Sequence, residues 1–358
     1  TSAGYPYSQN TTLSTATTDA LTVRSTAVTA QGNQNVNYIR NSVKATVDAY
    51  DGTVHLYAWD AQDPILKTWQ KAFPGTVLPK SKIPATLMTQ LRYPEDFFKV
   101  QREVLKKYHI TDPASFFSGE NFWIVPDDPT RDFGTQPPYY LTLKAPGASA
   151  PAFSLTSTFA PAKRPSLAAL LIVNSEPGPD YGKLQLLQLP SQSTIPGPVQ
   201  AQNNFESDSN VSSTLSLLRR GGSDVVLGNL LSLPVGGGVL YVEPVYVQAT
   251  GGNGYPLLRK VIVGFGQEVV MADTLDEALR AVIGVSSGTP ETPGTPSTPG
   301  TGTQTAKQRL NAALADAAAA YTAGETALKQ GDFAAYGAAQ KKLIAAITRA
   351  QAAQAELS

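Results

Sequence analysis

The chain has 358 residues, with 28 Lys+Arg balanced against 28 Asp+Glu, so it carries no net charge. That balance argues against a general nucleic-acid binder, which needs a basic face to neutralise phosphates, and no nucleic acid is expected as a partner. Cysteine is absent, which excludes disulfides, thiolate nucleophiles and Cys-ligated metals, and with charged residues at only 16% the surface is more polar than ionic.

Residues 1–35 are rich in Ser, Thr, Asn and Gln with few apolar anchors, and read as an extended lead-in with room for one strand. The opening TSAGYPYSQNTT has neither an initiator Met nor an apolar leader, the look of a piece that starts inside a longer protein. Over 35–50, Ile39, Val43 and Val47 recur every four residues, which predicts a helix of about three turns. Asp51-Gly52 then makes a tight turn into an alternating strand at 53–59.

Three helices are expected next. Asp63-Pro64 opens one that runs to Phe73, and a second covers 83–91. The third, 94–108, has Pro at its start, Glu95 and Asp96 in the first turn and Lys106 and Lys107 in the last, charges that complement the helix dipole. Its expected buried stripe is Phe97, Val100, Val104 and Tyr108.

From 121 to 190 the pattern is mostly β, with strands at 122–125, 139–144, 153–159, 167–173 and 183–189 separated by Pro, Gly and Asp clusters. A helical stretch at 199–219 breaks near 207–210. The segment 227–266 holds two long runs rich in Val, Leu, Ile and Tyr. They are joined by a glycine-rich turn at 250–254 and read as a buried hairpin, fed by a third strand through the bend at 234–238. A strand at 268–271 follows, then a helix capped by Thr274 with Glu277 three residues on.

Residues 286–304, SSGTPETPGTPSTPGTGTQ from Ser286 onward, contain no apolar residue and form a linker. The Ala-rich stretch 305–358 carries two apolar stripes either side of Gln330-Gly331-Asp332 and is expected to be a helical hairpin. The expected class is therefore α+β: a mixed, largely antiparallel sheet with flanking helices over 36–285, with a subdomain boundary near 120–150, plus the C-terminal two-helix hairpin.

Five stretches carry a resemblance: VNYIRNSVKATVDAYDGTVHLYAWD (36–60), LRYPEDFFKVQREVLKKYHITDP (91–113), LAALLIVNSEPGPDYGKLQLLQLP (167–190), LLSLPVGGGVLYVEPVYVQA (230–249) and ADTLDEAL (272–279). In them the chain resembles uncharacterised protein family 0182, large polytopic membrane proteins found mainly in actinobacteria. The resemblance implies a large extracytoplasmic portion, anchored at the outer face of the cell membrane through a membrane-embedded part of the same protein. It brings no catalytic residue with it.

Catalytic signatures are sparse. Two histidines, His55 in a strand and His109 at a helix C-terminus, are the only ones, and there is neither a G-x-S-x-G turn nor an H-E-x-x-H pair. Asp127, Asp128 and Asp132 form a loop carboxylate cluster of the hard-oxygen kind that suits calcium, weighed against ordinary Asx-turns and helix caps. Glu243 is the one acid deep in an apolar run; folding the hairpin sets it roughly opposite Arg259 or Lys260, which predicts a buried ion pair of Glu243 with Arg259. Gly236–Gly238 lacks the Lys-Ser/Thr of a phosphate loop and reads as a bend between strands.

The most unusual polar segment is GPVQAQNNFESD, where Gln200, Gln202, Asn203 and Asn204 flank Phe205 as candidate contacts to a neutral polar ligand such as glycan. No cofactor is expected. The expected role is non-catalytic: ligand binding or complex assembly at the cell envelope, with an envelope protein or a glycan or lipid as candidate partner. Two alternatives stand beside it, a carboxylate-dependent hydrolase or transferase acting on wall polysaccharide or lipid, and a homo-oligomeric collar of a transporter-like protein.

Overall fold

The computed structural model describes residues 4, 8–25, 27–190, 192–220, 222–250 and 254–282, together with short helical stretches between 312 and 350. The chain divides into two units, Thr1–Leu275 and Asp276–Ser358. The first is an α+β unit built on largely antiparallel sheets.

The lead-in folds into the core. Strand β1 (Thr11–Thr12) pairs with β2 (Asn35–Val36), and between them run two short helices, α1 (Leu13–Thr17) and α2 (Ala20–Arg24). Leu13 and Ala16 pack with Val36 and Val100 in a small apolar cluster. Asp19 caps α2, its Oδ1 accepting from the backbone N–H of Leu21 and Thr22 at 3.0 Å each, yet the side chain is fully buried.

The expected helix at 35–50 is instead a strand, β3 (Val43–Val47), antiparallel to β4 (Val54–Ala58). A spacing of four fits two strand periods as well as one helical turn, and the β-branched residues of VKATV settle it toward the strand. After α3 (Pro64–Ala72), β5 (Val77–Pro79) adds in parallel to β4, completing a three-stranded sheet, and the short α4 (Ala85–Met88) follows.

Helix α5 (Glu95–Tyr108) has the expected span but turns a different face inward. Its buried residues are Phe98, Lys99, Val100 and Arg102, while Val104 and Tyr108 are exposed. Two cations sit inside because partners meet them there. Lys99 Nζ lies 2.6 Å from Asp19 Oδ2 and 2.8 Å from Glu95. Arg102 Nη1 donates to the Gln136 carbonyl at 3.0 Å and to Ser157 Oγ at 3.1 Å. The short α6 (Pro113–Ser118) leads into β6 (Trp123–Ile124).

Two five-stranded sheets carry the main core. The first is built on β8 (Ala152–Pro161), which pairs with β6, β7 (Tyr139–Leu143) and β9 (Ala169–Asn174); β10 (Leu184–Gln188) flanks β9. The alternation of β9 is buried on both sides: Leu170 enters one apolar cluster, while Ala169, Leu171 and Val173 enter the other with Phe98, Trp123 and Phe159. Helices α7 (Pro198–Ser207) and α8 (Ser209–Leu218) meet at Asp208, whose side chain caps α8.

The second sheet orders β11 (Ser223–Leu227), β13 (Gly238–Ala249), β14 (Leu257–Phe265) and β15 (Glu268–Ala272), with β12 (Leu231–Val235) also on β13. The bend before β13 is a two-residue hairpin turn in which Gly236 and Gly237 both take positive φ (58° and 79°), the conformation that glycine reaches without strain. Residues 251–253 of the expected glycine-rich turn lie outside the described residues. Gln136 links the two sheets, donating to the Leu230 carbonyl at 3.1 Å and accepting from Thr158 Oγ1 at 2.9 Å.

In the second unit α9 (Leu275–Val282) is a short helix with an Arg280–Asp276 ion pair at 2.8 Å. The linker at 286–304 lies outside the described residues, as does the expected break at Gln330–Asp332. The described stretches between 312 and 350 are helical, and Arg349 reaches Asp316 at 2.8 Å from one stretch to the other.

Candidate functional site

Helix α7 starts at Pro198, whose missing N–H suits a first helical turn, and its residues divide by helical spacing into two faces. Ala201, Gln202 and Phe205 turn into the core. Gln200, Asn204 and Ser207 line a pocket of about 600 Å³, whose other walls come from Val239 and Tyr241 of β13, Phe265 of β14, and Gly266 and Gln267 at the turn into β15. The Tyr241 hydroxyl donates to the Pro196 carbonyl, tying the pocket wall to the loop before the helix. Asp208 is the one carboxyl in the lining, and it is occupied in capping α8 through Asn210 and Val211.

The five residues singled out in the polar segment are thus separated by the helix. Gln200 and Asn204 share the pocket, and Asn203 is exposed without lining it. Gln202 and Phe205 are buried at 3% and 1% exposure. Phe205 is a packing anchor: its ring lies on Gly264 of β14, where a Cβ would come within 2.5 Å of the ring. Gln267, Tyr241 and Phe265 were not legible as pocket residues, because only the β13–β15 pairing carries them to the helix.

Behind the helix lies Glu243, fully buried on β13. The expected pair with Arg259 does not form. The register sets Glu243 against Ile262, a bulge after Val245 leaves Arg259 unpaired in the ladder, and Lys260 instead binds Asp273 at 2.6 Å. A one-residue bulge re-aims every side chain beyond it, which no count along the sequence anticipates. Neither Glu243 oxygen has a hydrogen-bond partner. Burial pushes its carboxyl up to about 8; the Gln202 amide nearby opposes that, while the charges of Glu206 and Asp128 add to it. Glu243 is therefore neutral at pH 7, sealed from solvent, and does not line the pocket.

The aspartate cluster does not converge either. Asp128 is buried and accepts from Thr130 N–H (2.9 Å), Thr130 Oγ1 (2.7 Å) and Arg131, whereas Asp127 and Asp132 are exposed. Among the described residues no group of three or more His, Asp or Glu side chains could hold a metal ion. Asp128 holds its loop through an Asx-type turn and an ion pair.

A second cavity, of about 740 Å³, lies at the end of α5, where His109 stacks on Trp123 with ring centroids 3.4 Å apart. His109, Asp112 and Ser115 all line it, but not as a nucleophilic triad. His109 Nδ1 is held by the Leu105 carbonyl at 2.8 Å, and Asp112 accepts from the Ser115 backbone N–H at 2.7 Å as the cap of α6. That backbone hydrogen bond holds the Asp112 carboxyl below its usual value. His55 lies on β4, exposed and paired in the ladder with Thr46.

Comparison with known proteins places this geometry in a lineage. The model of the uncharacterised protein family UPF0182 matches residues 1–218, and similar proteins run through the whole chain. The chain belongs to the UPF0182 family. A UPF0182 protein of Paenarthrobacter aurescens is 50% identical over all of this chain and 38% of its own length. One from Streptomyces coelicolor is 52% identical over 99% of this chain and 36% of its own length, and one from Bifidobacterium longum is 47% identical over 98% and 36%. The chain thus spans well under half the length of these UPF0182 relatives. No solved structure matches it. No helix among its described residues is long and apolar enough to cross a membrane.

Proposed function

We propose that this UPF0182 chain is an extracytoplasmic, non-catalytic binding domain of a larger membrane-anchored protein, and that the pocket on α7 takes a neutral polar ligand such as glycan. The observation that carries the reading is the convergence of three amides, Gln200, Asn204 and Gln267, with Tyr241 and Phe265 on one pocket of about 600 Å³. That volume falls in the range of small-molecule sites, and amides with an aromatic wall suit hydroxyl-rich ligands. Glycoside hydrolysis needs two carboxyl groups facing each other across the bond, and this lining offers one, already engaged as a helix cap. The raised pKa of Glu243 does not rescue a hydrolytic reading, because a sealed side chain reaches no substrate.

Calorimetric titration of the chain with a panel of neutral oligosaccharides tests the ligand class. Saturable binding that Gln200→Ala with Asn204→Ala abolishes supports it; binding to none, or release of cleaved sugars, rejects it. The side of the membrane is separately testable, since this chain has no cysteine. A Cys placed at the fully exposed Tyr50 in the full-length protein should react with a membrane-impermeant maleimide on intact cells. Protection until the cells are lysed rejects the extracytoplasmic placement.

A further inference from the structure

We infer that a separate pocket between α3 and the β3–β4–β5 sheet binds the acyl chain of an anionic amphiphile. The pocket holds about 640 Å³ and is lined mainly by apolar side chains, among them Val43, Leu56, Leu66 and Val77. Its mouth is formed on α3 by Trp69 and Phe73, which stack with centroids 5.4 Å apart. Both remain more than half exposed, at 59% and 54%. On α3 they continue the stripe of Ile65 and Leu66, so an amphipathic helix covers the sheet at one end and leaves its apolar face open at the other.

The charge around this mouth is one-sided in a chain that is neutral overall. From residue 61 to 82 there are four lysines, Lys67, Lys71, Lys80 and Lys82, and a single acid, Asp63. That acid is buried and fully engaged, accepting from Tyr38 at 2.8 Å, from the Ile65 N–H at 3.0 Å and from Ser42. Arg40, also in the lining, is paired with Asp60. An occupant must therefore offer an apolar body for the pocket and a negative end for the lysine rim. A fatty-acyl chain with an anionic head has that chemistry; a neutral glycan has not. The site is distinct from the α7 pocket and does not depend on that reading.

The test uses the folded chain with myristate, laurate and vesicles of phosphatidylglycerol as probes. Saturable one-to-one binding of myristate by calorimetry is expected. Laurate, two methylenes shorter, should bind roughly 15-fold more weakly, at about fourfold per buried methylene. Val43→Trp, at a partly exposed lining position, should fill the pocket and abolish binding, while Lys67→Glu with Lys71→Glu on the surface should weaken it several-fold without shifting the melting temperature. Binding of myristate or of vesicles that Val43→Trp removes upholds the site, and which probe binds shows whether the chain is drawn from solution or from a bilayer. Binding to neither, insensitivity to Val43→Trp, or a dimer that Val43→Trp dissociates with no lipid bound overturns it.

Discussion

Lys99 Nζ sits 2.6 Å from Asp19 Oδ2, with both side chains closed off from solvent. The contact joins the N-terminal α2 to the middle of α5, and Asp19 has divided its carboxylate, one oxygen capping its own helix and the other facing the ammonium. The second oxygen makes an ion contact without hydrogen-bond alignment. Burial works against the charge on Lys99, but Asp19 and Glu95 outweigh it and hold the ammonium above its usual pKa.

Asp19→Ala is therefore expected to cost about 3–5 kcal/mol in denaturant unfolding, since it strands a buried ammonium and removes a helix cap. Glu95, partly exposed, keeps some compensation in place. The double change Asp19→Ala with Lys99→Met should recover much of the loss; a double variant as unstable as the single would show that the cap, not the charge pair, dominates.

Glu243 gives a pH signature. Its folded pKa of about 8 lies above the ordinary 4.5, so the native state holds a proton that the unfolded chain releases between these values. Its contribution is fully present below about pH 4.5, declines as pH rises and is lost above about 8, up to about 5 kcal/mol across the window. Glu243→Gln, which removes the ionisation and keeps the shape, should flatten this part of the stability–pH curve and make the protein more stable than wild type at pH 9. Parallel curves for the two proteins would contradict it.

Gly264 admits no side chain while Phe205 lies on it. A Cβ there meets Phe205 Cε1 at 2.5 Å, and the ring, 1% exposed, has nowhere to withdraw. Gly264→Ala should cost about 1–3 kcal/mol by overpacking and weaken ligand binding at the α7 pocket by displacing the helix. Combining it with Phe205→Leu should restore part of the melting temperature.

Lys44 should titrate early. Burial lowers its ammonium to about 8, and its Nζ donates to the Tyr181 hydroxyl at 3.0 Å while lying 5.4 Å from the Trp59 ring. Reductive methylation with isotopic formaldehyde, followed by NMR across pH 6–11, should show one lysine with a midpoint near 8 that disappears in Lys44→Arg. A set of lysine midpoints all near 10.5 would refute it.

The amino-acid sequence alone determined the order of most elements, because local chemistry places them. Pro64, Pro94 and Pro198 start helices, Asp208 divides α7 from α8, and the alternating runs of β8, β9, β13 and β14 announce strands. Where two periods coincide, as at Ile39, Val43 and Val47, local pattern failed to separate helix from strand. Tertiary structure decided the rest. The bulge beside Val245 withdrew Arg259 from Glu243, Asp19 drew Lys99 inward and turned α5 onto another face, and the β14–β15 turn brought Gln267 to Gln200 and Asn204. Each of these depends on register and on partners distant in the chain. Spacing along one segment carries the periodicity of a helix or strand, but not the rotation at which it meets its neighbours.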